Sequence, residues 1–224
     1  MAVDNGGAAV EERVLQPQYS GWSGPRREVV AVVRRNETRR AALVDAAIEV
    51  LARDGARGLT FRSVDTEAAV PPGTASNYFS SRDDLLTQAG ARVYERLQPD
   101  EETVARQRAT GKGREAYAVL MRELVGRIAA FRTGYLALLE LRLEATRRPG
   151  LRTVLTERVR ADVEANVRYH EASGLPGDAT AVKLLHLALN WLIVEQLTLP
   201  DVFTPEERDR LVTAAVERIV TDGG

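Results

Sequence analysis

The side chains most often recruited for catalysis are scarce in this sequence. None of its 224 residues is cysteine, which excludes thiol nucleophiles, disulfides and thiolate metal sites. The two histidines, His170 and His186, stand 16 residues apart and outside any His-Glu-x-x-His pattern. Gly111-Lys112-Gly113 is too short and wrongly ordered to cradle a phosphate, and there is neither a nucleophile elbow nor a dinucleotide fingerprint. Glu140 and Glu144 lie one helical turn apart and would suit a cation, but such a pair reads first as a solvated face. No metal, cofactor or enzymatic activity is therefore expected. Arginine is what the chain does offer: of 31 basic residues only Lys112 and Lys183 are lysine, leaving 29 arginines. Net charge is -1, so any polyanion-binding patch must be local. Residues 26–62 carry nine arginines against five acids, whereas from residue 99 onward the two signs nearly balance. Arginines bind a polyanion by neutralising phosphates and releasing counterions, so this is the end expected to face one.

The elements that position these groups read as helices throughout. With 44% hydrophobic and 28% charged residues the chain can bury a core without staples. Leu43, Val44, Ala47, Ile48 and Leu51 form one helical stripe, which Gly55 ends. Thr60 caps a short helix through Ala68. Pro71 and Pro72 forbid its continuation, because neither has an amide hydrogen and Val70 is pushed out of the helical region. A second short helix spans 74–79, and Ser81 with Asp84 forms a capping box for a longer one reaching Leu97. Further helices are predicted over 114–131, 135–147 after Thr133-Gly134, 151–173, 178–199 and 204–220, the last opened by Thr204-Pro205-Glu206-Glu207. No stretch alternates with period two. The expectation is an all-α chain of about nine helices: a flexible arm at 1–25, one domain at 26–98 and a helical domain at 99–224. The apolar run at 29–33 either extends the first helix or belongs to a loosely attached leader. The N-terminus lacks a secretion signal's basic flank and apolar region, and the longest apolar stretch, 184–199, is too short and polar to span a bilayer. The protein is expected in the cytoplasm.

Two short helices joined by a tight break, with supporting helices before and behind, make the helix-turn-helix plan, in which the second enters the DNA major groove. The run Val70, Gly73, Thr74, Phe79, Ser81, Arg82, Asp83, Asp84 and Leu85 sharpens it. Residues 38–86 resemble the DNA-binding domain of TetR-family transcriptional regulators. The resemblance implies phosphate contacts from Thr60, Arg62 and Arg82. With Phe79 assigned to the core, Thr74, Ser76, Asn77 and Tyr78 are left to face DNA. Asn can pair bidentately with an adenine edge and Ser can contact several bases, so Asn77 and Ser76 are the base-reading candidates, with Tyr78 on the backbone. Two positions depart from the family: Ala69 stands where its turn usually has glycine, and Ser76 where its recognition helix usually has an aromatic residue.

The rest resembles the family's regulatory domain in length and helical character. Leucines and other apolar groups surround the helix at 184–199 almost completely, and a helix apolar all round needs a second covered face. A homodimer interface built from Leu185, Leu192, Ile193, Leu211, Ala215, Val216 and Ile219 is expected. For a small-molecule effector, the candidate contacts are Tyr117, Met121, Phe131, Tyr135, Leu139, His186, Asn190 and Trp191. The reading is a homodimeric, ligand-responsive repressor of double-stranded operator DNA with no membrane partner. The competing reading is a helical adaptor, which would show no salt-dependent retention on DNA.

Overall fold

The computed structural model describes residues 26–221, with side chains from Asn36 onward; the arm expected at 1–25 lies outside them. The chain divides into two units between Glu37 and Thr38. Of the first, residues 26–37 are helical backbone that includes the run at 29–33. The second holds everything described below.

Ten helices and no strand occur among the described residues: α1 (Arg26–Gly58), α2 (Phe61–Glu67), α3 (Thr74–Tyr78), α4 (Arg82–Leu97), α5 (Glu101–Ala109), α6 (Arg114–Ala130), α7 (Arg132–Ala145), α8 (Pro149–Ser173), α9 (Ala179–Thr198) and α10 (Pro205–Ile219). Side-chain caps fix half of the starts. Thr60 and Ser63 form a reciprocal capping box on α2, and Thr204 and Glu207 one on α10. Ser81 caps α4, and Asp178 accepts from the Ala181 amide at 2.8 Å to cap α9. Helix α1 breaks at Gly55, whose φ of 67° is open to glycine at little cost.

Helix α5 has no counterpart in the periodicity, because Val104 and two alanines make no stripe; Asp100 starts it by accepting from the Thr103 amide at 2.8 Å. The other difference is at Gly134, which lies inside α7 rather than before it. The break falls at Phe131, and a Cβ on Gly134 would stand 2.1 Å from the Phe131 ring. Glycine is there to admit that ring.

The main core gathers Leu43, Ile48 and Leu51 of α1 with Val64 of α2, Ala75 of α3 and Phe79. It runs through Leu85, Leu86 and Val93 of α4 into Ala137 and Leu141 of α7 and Leu151 and Leu155 of α8. The helices before residue 98 thus share one apolar core with two helices that follow. Burying each such leucine contributes roughly 1.5–3 kcal/mol. Smaller clusters tie α6 to α9 and α10, around Val125, Leu189 and Val212 and around Tyr117, Leu185 and Val216.

Candidate nucleic-acid interface and ligand cavity

The turn between α2 and α3 is built around a carboxylate. Asp65, 2% exposed, accepts from the Gly73 amide through Oδ2 and the Ala75 amide through Oδ1, both at 2.7 Å. This satisfies amides at the start of α3 that no side-chain cap reaches. Ala69 occupies the turn at φ 51°, the left-handed region that its sequence position demands. Thr74 Oγ1 donates to the Pro71 carbonyl at 2.6 Å and Ser76 Oγ to the Gly73 carbonyl at 2.8 Å. Both hydroxyl protons are committed to backbone, so outward each offers only lone pairs. Asn77 is exposed with its amide unpaired among the described residues. Tyr78 is half-buried against the core, with the Arg40 guanidinium 5.9 Å from its ring centre.

The positive charge is less free than its count suggests. Arg53 is paired with Asp54 at 3.0 Å and Glu67 at 2.7 Å, and Arg40 lies over Phe79 and donates to Gln88. Arg39, Arg57 and Arg62 are exposed and carry no ion pair among the described residues. Thr60 is exposed at the α2 cap. Arg82, expected on a phosphate, instead turns inward: Nε donates to the Leu59 carbonyl at 3.0 Å and Nη2 to that of Ala56. The Ala56 carbonyl also accepts from the Leu59 amide at 3.4 Å, so the guanidinium reinforces a loose turn after the Gly55 break.

Ala56 is gripped from a second side. Its amide donates to Glu140 Oε2 of α7 at 3.0 Å, and a side chain on Gly55 would crowd that same oxygen at 3.2 Å. Thr133 of α7 donates to Glu49 of α1 at 3.0 Å. Glu144 accepts from Arg147 and Arg148 at 2.7 Å each, and Arg148 also pairs with Asp83 at the start of α4. Hydrogen bonds from Arg148 and Arg147 hold the Glu144 carboxyl at about 2. Neither glutamate therefore lies on the solvated face expected for the pair: both join α7 to its surroundings.

Between α4 to α9 lies a cavity of about 320 Å³. Of the candidate effector contacts, Tyr117, Met121, Tyr135, His186 and Asn190 line it. Tyr135 donates to Asn190 Oδ1 at 2.8 Å, and Tyr117 packs on His170 with ring centres 5.3 Å apart. Burial pushes the Tyr117 and Tyr135 phenols up to about 12. Three expected contacts lie elsewhere. Phe131 packs on the main core under Arg96, Leu139 packs between α7 and its neighbours, and Trp191 is 65% exposed. The cavity also contains groups the sequence reading missed: Tyr94 and Leu97 of α4, Arg127 of α6, Arg142 of α7, and Asp162 and His170 of α8. A signal existed on α8, where Asp162, Asn166 and His170 recur every four residues as one polar stripe. Burial raises the Asp162 carboxyl and lowers the His186 imidazole.

Residues 43–89 match the family described as bacterial regulatory proteins, tetR family, and residues 112–222 match the tetracyclin repressor-like C-terminal domain. The structure of multidrug binding protein EbrR complexed with ethidium is 30% identical, covers 82% of this chain and 99% of its own, and superposes with a TM-score of 0.60. The chain belongs to the TetR family of transcriptional regulators. A TetR-family structure from Streptomyces coelicolor A3 is 28% identical over 82% of this chain and 98% of its own, with a TM-score of 0.59. The HTH-type transcriptional regulator BetI of Rhizobium meliloti (strain 1021) is 34% identical over 84 residues, which are 38% of this chain and 40% of BetI. This TetR-family protein is accordingly a helix-turn-helix DNA-binding regulator and not an enzyme. Among its described residues no helix is long and apolar enough to cross a membrane.

The TetR regulator's α9 does have two apolar faces, and the residues expected at the interface divide between them. Leu185, Ile193 and Val216 are buried within the single chain, and Ile219 packs half-buried beside them. Leu184, Leu187 and Trp191 are the exposed set, together with Leu211 on α10. Leu192, Leu211 and Ala215 border a groove beside Trp191. Residue counting showed that α9 is apolar all round; it could not show which face met the chain's own core.

Proposed function

We propose that the protein is a homodimeric repressor that binds a palindromic operator in the cytoplasm and is released when a small molecule fills the cavity. Residues 26–98 serve as the DNA-binding domain with its connecting helix, and 99–224 as the regulatory and dimerisation domain. The observation that carries this reading is α4 itself. Its last turns put Tyr94 and Leu97 on the cavity wall, while Leu85 and Leu86 at its start pack in the core beneath α1 to α3. Filling one end therefore acts on the other. EbrR, described as a multidrug binding protein and complexed with ethidium, supports a small-molecule effector.

On the DNA, Asn77 reads an adenine edge and Ser76 and Thr74 accept from neighbouring donors, with Tyr78 against the backbone. Arg62 and Thr60 hold phosphates, and Arg82 is a positioning residue that braces the start of α2. Selection from random duplexes should return an inverted repeat; an asymmetric motif would count against a symmetric dimer. Asn77→Ala should relax preference at one position per half-site, at roughly 1–3 kcal/mol, while Arg62→Ala should weaken all sequences alike and lower the salt slope by about one. Linkage requires operator to weaken ligand affinity by the factor that ligand weakens operator affinity.

A further inference from the structure

We propose that the cavity is a receptor for an organic monoanion, a carboxylate carried on an apolar body, and that Arg127 takes its head. The inference deepens the ligand reading above and rests on it.

Arg127 reaches the cavity from α6, and its Nη1 donates to the carbonyl of Leu97, the last residue of α4. That bond fixes the guanidinium plane. Nε is buried, and neither it nor Nη2 meets an acceptor among the described residues. A buried donor without a partner is costly, and native proteins seldom leave one without a reason. The Nε–Nη2 edge is the fork with which Arg92 of the same chain holds Asp45, at 3.0 and 3.1 Å. On Arg127 the Nε of that fork is buried and unmatched, in a side chain that lines the cavity with Leu124 and Ile128. Two parallel N–H groups fit a planar carboxylate bidentately and are repelled by an ammonium.

The charges around the cavity agree. Arg127 and Arg142 face Asp162, one positive in excess, and burial drives His186 toward its neutral form. His170 spends Nε2 on the Gly177 carbonyl at 3.1 Å. Asp162 is held by the Asn166 amide at 3.4 Å and by neither arginine. Burial lowers Arg127 from its ordinary value, while Asp100 and Asp162 act on it from nearby without a hydrogen bond to its Nε or Nη2. The apolar walls suit the ligand's body. Because the same guanidinium caps the end of α4 through Nη1, an anion on the Nε–Nη2 fork is coupled to the contact that anchors that helix.

The test uses 4-phenylbutyrate and octanoate as anionic probes, 4-phenylbutylamine as a matched amine, and proflavin as a planar cation. Thermal shift and release of labelled operator are the readouts. The carboxylates should raise Tm and release operator, and the amine and proflavin should do neither. Arg127→Gln should bind the carboxylates about 10- to 100-fold more weakly. Arg127→Lys keeps the charge without the fork and should recover only part of that loss; it carries the comparison alone if the glutamine variant fails to fold. Unchanged carboxylate affinity in both variants would overturn the role of Arg127. Release by the amine or proflavin, with the carboxylates inert, would overturn the anion reading and keep ligand release. Carboxylates that bind through Arg127 without releasing operator would do the reverse, and four inert probes would remove both readings.

Discussion

Ala69 shows how much a single position can hold in reserve. At φ 51° it sits where a Cβ is strained, and the helix-turn-helix cannot close without that conformation. Ala69→Gly should therefore stabilise the protein by about 1 kcal/mol, the strain released exceeding glycine's extra chain entropy. Thermal denaturation with unchanged operator affinity is the check, and a lower Tm would contradict it. The strain was foreseeable from the resemblance, because Ala69 stands where the family's turn usually has glycine. Asp65 was not foreseeable. An acid in a seven-residue helix reads as solvent-facing, and only the fold brings the Gly73 and Ala75 amides to it. Asp65→Asn removes one of its two acceptors and sets a donor against a donor, so about 2 kcal/mol of stability should be lost in urea titration. Arg82 eluded the sequence for the same reason: an arginine beside a DNA-reading helix has the composition of a phosphate ligand, and its carbonyl partners lie more than 20 residues away.

Helix α7 is the element whose role the sequence hid most. The sequence offered Tyr135 as a ligand contact, but not Leu138 beside it on the cavity wall, nor that Glu140 and Glu144 tie the helix to α1 and, through Arg148, to α4. Polar side chains at helical spacing look alike whether water or an amide waits beyond them. Glu144 makes this testable by pH. Folding lowers its carboxyl from the ordinary 4.5 to about 2, so the unfolded chain takes up the proton first. Its contribution is complete above about pH 4.5 and drains away as pH falls toward 2. Glu144→Gln should be less stable than the parent at pH 7, and the difference should close across that window. A constant difference down to pH 2 would show that the ion pairs with Arg147 and Arg148 are not its source. By contrast α4 was legible in outline, because Leu85, Leu86 and Val93 name one face and Ser81 names the start.

For the whole molecule, the exposed row Leu184, Leu187 and Trp191 on α9 with Leu211 on α10 predicts a homodimer held by that face. Leu187→Glu with Trp191→Glu should give folded monomers in light scattering that have lost operator affinity. Ile193→Glu, placed at 1% exposure, should instead unfold the chain. A folded wild-type monomer at micromolar concentration would sink the dimer. The all-α architecture and the reading helices could be inferred before any coordinates because capping and periodicity are local. The faces of α9 could not, because choosing between them requires knowing what lies across from each. Ala56 carries a last consequence. Its amide proton is held by a carboxylate on α7 and its carbonyl oxygen by a guanidinium on α4, so this one residue is gripped on both sides only while both helices keep their places. Exchange of that one proton for deuterium should then act as a clock for the regulator's state, slow on the operator and quickening as α7 lets go.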